Sequence, residues 1–273
     1  MITLVLDLDH TVFLALSEYM FSAMGHHTYS ADLYELTMTW EEHFCQEHVS
    51  IINPIKLKKL LETAGKLGVR LMFYTTGCWD EQPVKSMLSS ALPLSPQTIE
   101  MIRTAVFLAS NNSPQYDEKL SWAEIAKIPK GEGLLTFEKH TNTQEMKYVF
   151  VDDSTQQLQS LKNNTRVTTI HASTKLEAKM DNERDYTLFY DAAIEALERL
   201  CAEEQKAQEE ADMNELAEIT QGLAPAAPAN VSAASNPPLR NESRLSENRN
   251  GWFPLPEEPA NLADVASTQY PVV

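Results

Sequence analysis

The chain has 273 residues, with 22 Lys and Arg against 39 Asp and Glu and a formal net charge of −17, which is length enough for one sizeable core with additional segments. Apolar residues make up 43% and charged residues 22%, the proportions of an ordinary globular protein. The acidic balance argues against a nucleic-acid partner, because a phosphate backbone must be met by an excess of Lys and Arg.

Five short apolar runs alternate with helical patterns along most of the chain. The runs lie at 2–6, 69–74, 105–109, 147–151 and 167–171. Because they are apolar at nearly every position, they are typical of strands covered on both faces, as in parallel sheets. One helical pattern begins at Pro54 and ends near Gly65 or Gly68, and another begins at Ser95. This alternation predicts an α/β fold with a doubly wound, Rossmann-like, parallel five-stranded sheet.

Residues 14–53 break this rhythm with an insertion of about 40 residues, far longer than the 2–6 residues of a usual βα loop. The segment is rich in aromatic residues and histidines. An insertion at this place predicts a small cap or flap over a site, and a helical hairpin that fills out the core is the alternative. We interpret the histidines as structural, since they show no clean ligand spacing; they are His26, His27, His43 and His48.

The C-terminal part of the chain divides into two segments. Residues 184–221 have the pattern of one long helix with a broken apolar stripe, so we expect its start to pack on the sheet and its later part to enter solvent. Most of the net negative charge falls in residues 181–218, which hold thirteen acids against three bases. Residues 223–273 are rich in Ala, Pro, Asn and Ser and are predicted to be disordered. We therefore expect a 1–180 core, a 181–222 acidic extension and a 223–273 tail, the last two being candidates for docking a partner or a membrane.

The cysteines indicate a reducing compartment. Cys45, Cys78 and Cys201 are widely spaced and odd in number, which is neither a disulfide framework nor a zinc-site spacing. The N-terminal apolar run is too short for a signal sequence and has no basic residue before it, and no stretch reaches the apolar length of a membrane span. We expect a cytoplasmic location, with delivery into a host cell as a bacterial effector as an alternative that the appended segments suggest.

Two aspartates end the first predicted strand. Asp7 and Asp9 follow the run 2–6, so both lie where open α/β sheets bind ligands, beyond the carboxyl ends of strands. A carboxylate at this point can attack phosphorus and form an acyl phosphate. A second carboxylate can protonate the leaving oxygen and then activate water. An Asp-x-Asp pair can also hold a nucleotide-bound metal or cap a helix, so further residues are needed to decide.

Three other segments favour phosphate chemistry. Asp152 and Asp153 follow another apolar run, and together with Asp7 they offer the carboxylates that Mg²⁺ takes beside water and phosphate oxygens. Thr75 ends the 69–74 run and can hydrogen-bond phosphoryl oxygens, with Thr76 as the alternative. Lys130 precedes a helical pattern and can neutralise phosphate charge. The other lysines in reach of that role are Lys119, Lys127 and Lys139.

These four motifs, in this order, resemble the haloacid dehalogenase-like superfamily of aspartate-nucleophile phosphatases over residues 1–172. The matching residues are Asp7, Asp9 and Thr11 in the first motif, Thr75 in the second, Lys130 in the third, and Asp152 and Asp153 in the fourth. The resemblance implies that Asp7 is the nucleophile and that Asp9 is the general acid and base. It also implies a magnesium site made by Asp7, the backbone carbonyl of Asp9, Asp152 and Asp153. Aspartate at position 9 favours phosphotransfer over dehalogenation.

The sequence indicates a reaction type rather than a substrate. The insertion is short for a full cap domain, as in the small-cap branch of the superfamily, which includes protein phosphatases. A lightly covered site would admit a phosphoprotein, and the aromatic insertion could stack on phosphotyrosine. Small phosphate esters, sugars or nucleotides are alternative substrates. A phosphomutase, or a binding protein that retains the fold, is an alternative function.

Overall fold

The computed structural model describes residues 1–15, 32–40, 43–109, 129–142, 146–173 and 187–222. The strands in these ranges are β1 (Ile2–Leu6), β2 (Phe13–Ala15), β3 (Tyr34–Trp40), β4 (His43–Ile51), β5 (Arg70–Tyr74), β6 (Val106–Leu108), β7 (Lys147–Asp152) and β8 (Val167–His171). The helices are α1 (Pro54–Lys66), α2 (Glu81–Ala91), α3 (Pro96–Arg103), α4 (Lys130–Thr141), α5 (Thr155–Leu161) and α6 (Leu188–Gly222). The predicted tail, His26, His27, Lys119 and Lys127 lie outside the described residues.

A five-stranded parallel sheet forms the centre of the fold, in the order β6-β5-β1-β7-β8. This confirms the predicted doubly wound α/β fold, and all five predicted runs are strands. From β1 the chain moves outward through β5 and β6 on one side, then returns to β7 and β8 on the other. The strand order therefore reverses beside β1, and the ends of β1 and β7 flank the crevice where such sheets bind ligands.

Helices cover both faces of this sheet. All five residues of β1 are buried. Leu4 and Leu6 belong to a core cluster with residues of α1, α2, α3 and α6, whereas Val5 belongs to a second cluster with residues of α4 and α5. Because the central strands β1, β5 and β7 are buried on both sides, they are apolar at nearly every position rather than at alternate ones, whereas the edge strand β8 is half-buried.

Local capping explains where two of the helices begin. Asn53 adopts φ 41°, and its side chain accepts a hydrogen bond from the Lys56 amide at the start of α1. Ser95 accepts one from the Thr98 amide at the start of α3. Each helix has Pro in its first turn, where a missing N–H has no cost.

Part of the predicted insertion forms an antiparallel sheet, here called the flap sheet, made of β2, β4 and β3 in that order. The helical-hairpin alternative is therefore wrong for the described part of the insertion. Leu36 and Val49 are buried, whereas Phe44 is 78% exposed. The two edges of the flap sheet meet two loops of the main sheet, since Phe13 forms a β-bridge with Asp9 and Met38 forms one with Trp79.

The long C-terminal helix α6 is part of the core at its start. Phe189, Tyr190, Ile194 and Leu197 are buried, and this part of α6 contacts α1 as well as β1, β7 and β8. Met213, farther along the helix, is 64% exposed. Helix α6 is thus buried at its start and exposed farther along, as the broken apolar stripe of its sequence predicts. No described helix is both long and apolar enough to cross a membrane.

Candidate active site

The first site residue, Asp7, lies immediately after β1. Its amide donates a 3.0 Å hydrogen bond to the Val151 carbonyl, which continues the pairing of β1 with β7. The residue is only 4% exposed. Its carboxylate accepts a hydrogen bond at Oδ1 from Lys130, and Oδ2 accepts none from the described residues. The sheet therefore fixes the backbone of Asp7 and leaves one carboxylate oxygen available for a ligand.

Two further carboxylates come from the end of the neighbouring strand β7. Asp152 is fully buried, and its Oδ1 accepts a 2.8 Å hydrogen bond from the Ser154 amide. Asp153 is half-buried, and its backbone carbonyl lies 2.8 Å from Nε2 of His171, the last residue of β8. Ser154 also caps α5 by accepting from the Gln157 amide. The start of α5 thus holds the acidic loop at the end of β7.

Lys130, the first residue of α4, joins the two strand ends. Its Nζ lies 2.6 Å from Asp7 Oδ1 and 2.6 Å from Asp152 Oδ2, and the residue is 2% exposed. Burial by itself would lower the pKa of Lys130, but the two carboxylates outweigh burial and raise that pKa. Lys139, another candidate from the sequence, is exposed in the last turn of the same helix. Among the described lysines, the geometry therefore selects Lys130.

The position of Lys130 depends on close packing between α4 and α5. Its own amide donates a 2.7 Å hydrogen bond to Gln157 Oε1. A Cβ added at Gly131 would lie 2.7 Å from the Ser160 carbonyl, closer than real Cβ atoms approach. Gly131 thus permits the contact that brings the start of α4 to the site.

Asp7, Asp152 and Asp153 form a group that could hold a metal ion. One carboxylate oxygen from each lies within 4.8 Å of the others. Desolvation by burial raises the pKa of Asp7 well above its ordinary value, against the opposing effect of Lys130. Burial and then the Asp152 carboxylate raise the pKa of Asp153 to about 6. Three crowded carboxylates beside one lysine leave an excess of negative charge, and hard oxygen donors of this kind fit Mg²⁺.

Asp9 points into a different set of contacts. Its Oδ2 accepts a 3.1 Å hydrogen bond from the Thr75 hydroxyl, which in turn accepts one of 2.9 Å from the Gly77 amide. The indole N–H of Trp79 lies 3.0 Å from Oδ1 and 3.1 Å from Oδ2. Thr75 is fully buried and Thr76 is half-buried. The Thr75 hydroxyl, which was predicted to hydrogen-bond a phosphate, therefore holds the Asp9 carboxylate in this structure.

The structure thus brings together all the residues predicted for the site, in two neighbouring groups. The first group is Asp7, Lys130, Asp152 and Asp153, and the second is Asp9 and Thr75. Sequence reasoning missed Trp79, Ser154 and His171. The only sequence signal for Trp79 is its place four residues after Thr75, together with an indole that can donate a hydrogen bond but cannot accept one. His10, beside Asp9, adopts a left-handed φ of 55°, and its positive charge when protonated would lower the pKa of Asp153.

No protein-family model and no curated protein matches the chain. Among solved structures, the chain is similar to the fission yeast RNA polymerase II CTD phosphatase Fcp1 bound to beryllium fluoride, with 14% identity and a TM-score of 0.35. The match covers 77% of this chain and 56% of that one, so this chain spans little more than half the length of that structure. A TM-score this low assigns neither a family nor an activity.

Proposed function

We propose that this protein is a magnesium-dependent phosphomonoester hydrolase that works through an aspartyl-phosphate on Asp7. The observation that carries the proposal is the meeting of Asp7, Asp152 and Asp153 around the buried ammonium group of Lys130 at the switch point of the sheet. Burying Asp7 and Asp152 with the half-buried Asp153 so close to them is costly for the fold. A site that binds a cation and a phosphate would offset that cost, and phosphoryl transfer uses such groups.

In the first step, an Asp7 carboxylate oxygen attacks the phosphorus atom of the substrate. The bond between phosphorus and the ester oxygen breaks, and the leaving oxygen takes a proton from Asp9. Oδ2 of Asp7 accepts no hydrogen bond from the described residues, which supports this oxygen as the nucleophile. A covalent intermediate divides one difficult displacement into two easier ones.

In the second step, Asp9 takes a proton from a water molecule. The resulting hydroxide attacks phosphorus, the acyl-phosphate bond breaks, and inorganic phosphate leaves with Asp7 restored. Asp9 can serve both steps because it gains in the second the proton that it gave in the first. Its carboxylate is held by Thr75 and Trp79 rather than by the acidic group, which keeps the two aspartates in separate roles.

The carboxylates of Asp7, Asp152 and Asp153 would hold Mg²⁺, and the backbone carbonyl of Asp9 is the fourth expected ligand. The bound ion would supply positive charge to the phosphoryl oxygens and to the crowded carboxylates. Lys130 neutralises charge on Asp7 and Asp152, and it binds Oδ1 of Asp7 rather than the attacking Oδ2. Residues of the chain thus provide the nucleophile, the proton donor and a fixed cation.

We extend the proposal to a phosphorylated protein side chain, with phosphotyrosine as the first candidate substrate. The flap sheet, whose β2 and β3 strands lie at its two edges, supports this choice because its edges meet the loops that carry Asp9 and Trp79. It presents Phe44, which is 78% exposed and could contact an aromatic substrate or its flanking residues. Sugar phosphates and nucleotides are the competing substrates.

The test is a phosphatase panel of phosphotyrosine and phosphoserine peptides, sugar phosphates and nucleotides, each with and without Mg²⁺. We expect magnesium-dependent release of phosphate that Asp7→Asn abolishes. Asp212→Asn makes the same chemical change at an exposed position in α6. It is the matched control and should leave turnover unchanged. Turnover that survives in Asp7→Asn would contradict the nucleophile assignment. Cleavage of sugar phosphates alone would contradict the phosphoprotein substrate but not the hydrolase.

A further inference from the structure

Trp79 makes a direct polar contact with the proposed acid and base of the site. The residue is 4% exposed, and its indole N–H lies within 3.1 Å of both carboxylate oxygens of Asp9. An indole can only donate, so this contact is always an N–H directed at the carboxylate. Thr75 gives the second donor, and it reaches Oδ2 alone. Among the described residues, Oδ1 therefore receives fewer hydrogen bonds than Oδ2 and is the oxygen better able to exchange a proton.

The loop between these two donors is built for close approach. A Cβ added at Gly77 would lie 2.8 Å from Asp9 Oδ2 and 2.8 Å from two atoms of the Trp79 ring. Any side chain at position 77 would therefore push Asp9 and Trp79 apart. A glycine between Thr75 and Trp79 lets both donors reach the same carboxylate.

The flap sheet fixes the other side of Trp79. Phe13, at the start of β2, packs against its ring with the centroids 6.1 Å apart. Beside Trp79, the Cys78 carbonyl accepts a 3.1 Å hydrogen bond from the Thr39 amide, and the Asp80 amide donates one of 3.3 Å to the Thr37 carbonyl. Residues 78–80 thus extend the β3 edge of the flap sheet. The indole is held between the flap sheet and the Asp9 carboxylate.

We propose that Trp79 is a positioning residue for proton transfer by Asp9, and that the flap sheet acts on the reaction by fixing this indole. The proposal rests on the proposed function, in which Asp9 protonates the leaving oxygen. A general acid works only when its oxygen lies within hydrogen-bonding distance of the leaving group. A carboxylate that has lost one of its two anchoring residues can rotate away from that position, and small displacements of this kind reduce rates substantially.

The test compares two substrates on Trp79→Phe, which removes the N–H and keeps a buried ring. p-Nitrophenyl phosphate has a leaving group that needs little protonation, whereas phenyl phosphate releases phenol, a leaving group as basic as a tyrosine side chain with a pKa of about 10. The measured quantity is the ratio of kcat/KM for the two substrates with Mg²⁺. This ratio does not depend on how much of the protein is folded, so partial unfolding of the variant cannot change it.

We expect Trp79→Phe to lose at least about tenfold more kcat/KM on phenyl phosphate than on p-nitrophenyl phosphate. Asp9→Asn, which removes the acid itself, should give a still larger difference between the two substrates. Trp79→Tyr, which also lacks the indole N–H, should change the ratio in the same direction. Phe13→Leu, which weakens the packing that fixes the indole, should change the ratio in the same direction but by less. Phe107→Leu, which alters a buried ring that packs on Phe73 in the main sheet and removes no donor to Asp9, is the matched control and should keep the wild-type ratio.

Equal losses on both substrates in Trp79→Phe would overturn the proposal and leave Trp79 with a structural role only. A changed ratio of the same size in Phe107→Leu would also overturn it, because a general disturbance of the core rather than the loss of the N–H would then be responsible. If the wild-type protein cleaves neither substrate and none in the panel, the proposed function fails instead, and the two failures are distinguishable.

Discussion

The hydroxyl of Tyr190 donates a 2.7 Å hydrogen bond to the backbone carbonyl of Thr11, a residue 179 positions away. It also lies 3.1 Å from the Ile52 carbonyl, where β4 has just ended. The C-terminal helix α6 is therefore tied to the turn that follows Asp9 and to the end of the flap sheet. Burial raises the pKa of Tyr190 far above its usual value, so the hydroxyl keeps its proton and remains a donor.

Tyr190→Phe should lower the free energy of unfolding by about 1–3 kcal/mol, because it leaves two buried carbonyls without this donor. Urea denaturation measures the change. The matched control is Tyr34→Phe, because the hydroxyl of Tyr34 in β3 forms no hydrogen bond with the described residues. Its free energy of unfolding should be close to that of the wild type. A loss of the same size in Tyr34→Phe would show that the Tyr190 contacts are not the cause.

Replacement of Lys130 by methionine should make the protein depend on Mg²⁺ for stability. Lys130→Met leaves the carboxylates of Asp7 and Asp152 buried without their cation, and removing one partner of a buried ion pair costs about 3–5 kcal/mol. A divalent ion held by the same carboxylates would return positive charge. We therefore expect a lower Tm without metal and a larger rise in Tm on adding Mg²⁺ than in the wild type, measured by scanning calorimetry.

Lys139→Met is the control for this prediction, since Lys139 lies on the same helix and is exposed. It should leave both the Tm and its response to Mg²⁺ unchanged. An identical response to Mg²⁺ in Lys130→Met and the wild type would argue against a metal held by Asp7 and Asp152.

The central strands of the main sheet could be predicted from the sequence because they are buried on both faces and apolar at nearly every position, whereas the edge strand β8 is half-buried and rich in β-branched residues. Strand β4 of the flap sheet could not be predicted, because its first half is exposed or half-buried, includes Phe44 and shows no apolar alternation. Strand β3 does alternate apolar and polar residues from Tyr34 to Trp40, a pattern typical of a half-buried strand, and it pairs with β4 and with residues 78–80. In β4, pairing with β2 and β3 decides the structure.

The acidic group of the site was also predictable, since Asp7 and Asp152 follow apolar strands that end at the same edge of the sheet. The contacts of Asp9 were not. Thr75 was expected to hydrogen-bond a phosphate, yet it donates to Asp9 together with Trp79. Both contacts depend on the path of the loop after β5, and that path is set by the flap sheet rather than by the loop sequence alone.

Glu62 should contribute a pH-dependent part of the stability. Burial opposes the effect, but hydrogen bonds from Ser95 and Thr98 lower the pKa of Glu62 below its usual value. Because the folded-state pKa is lower than the unfolded one, this stabilisation is present above the unfolded pKa of about 4.5 and is lost as the pH falls through the folded pKa.

Glu62→Gln should therefore destabilise the protein at pH 7 and flatten the decline in stability below pH 5, as measured by urea midpoints across that range. The effect should be modest, since the carboxylate is largely solvated. Glu198→Gln, an exposed position in α6 with no hydrogen bond to the described residues, should leave the pH profile as in the wild type. A profile unchanged in Glu62→Gln would count against the capping contact.

Two truncations separate the parts of the C-terminal region. All residues of the proposed mechanism lie between Asp7 and Asp153, so deleting 223–273 removes none of them and should leave kcat on a small aryl phosphate within about twofold of the wild type. Deleting residues from Thr187 onward also removes Tyr190, Leu197 and the other buried residues of α6, and we expect it to prevent cooperative folding, measured by thermal unfolding. If the shorter deletion abolished turnover, the tail would have to take part in the site. If the longer deletion still unfolded cooperatively with wild-type activity, helix α6 would be an appendage rather than part of the core.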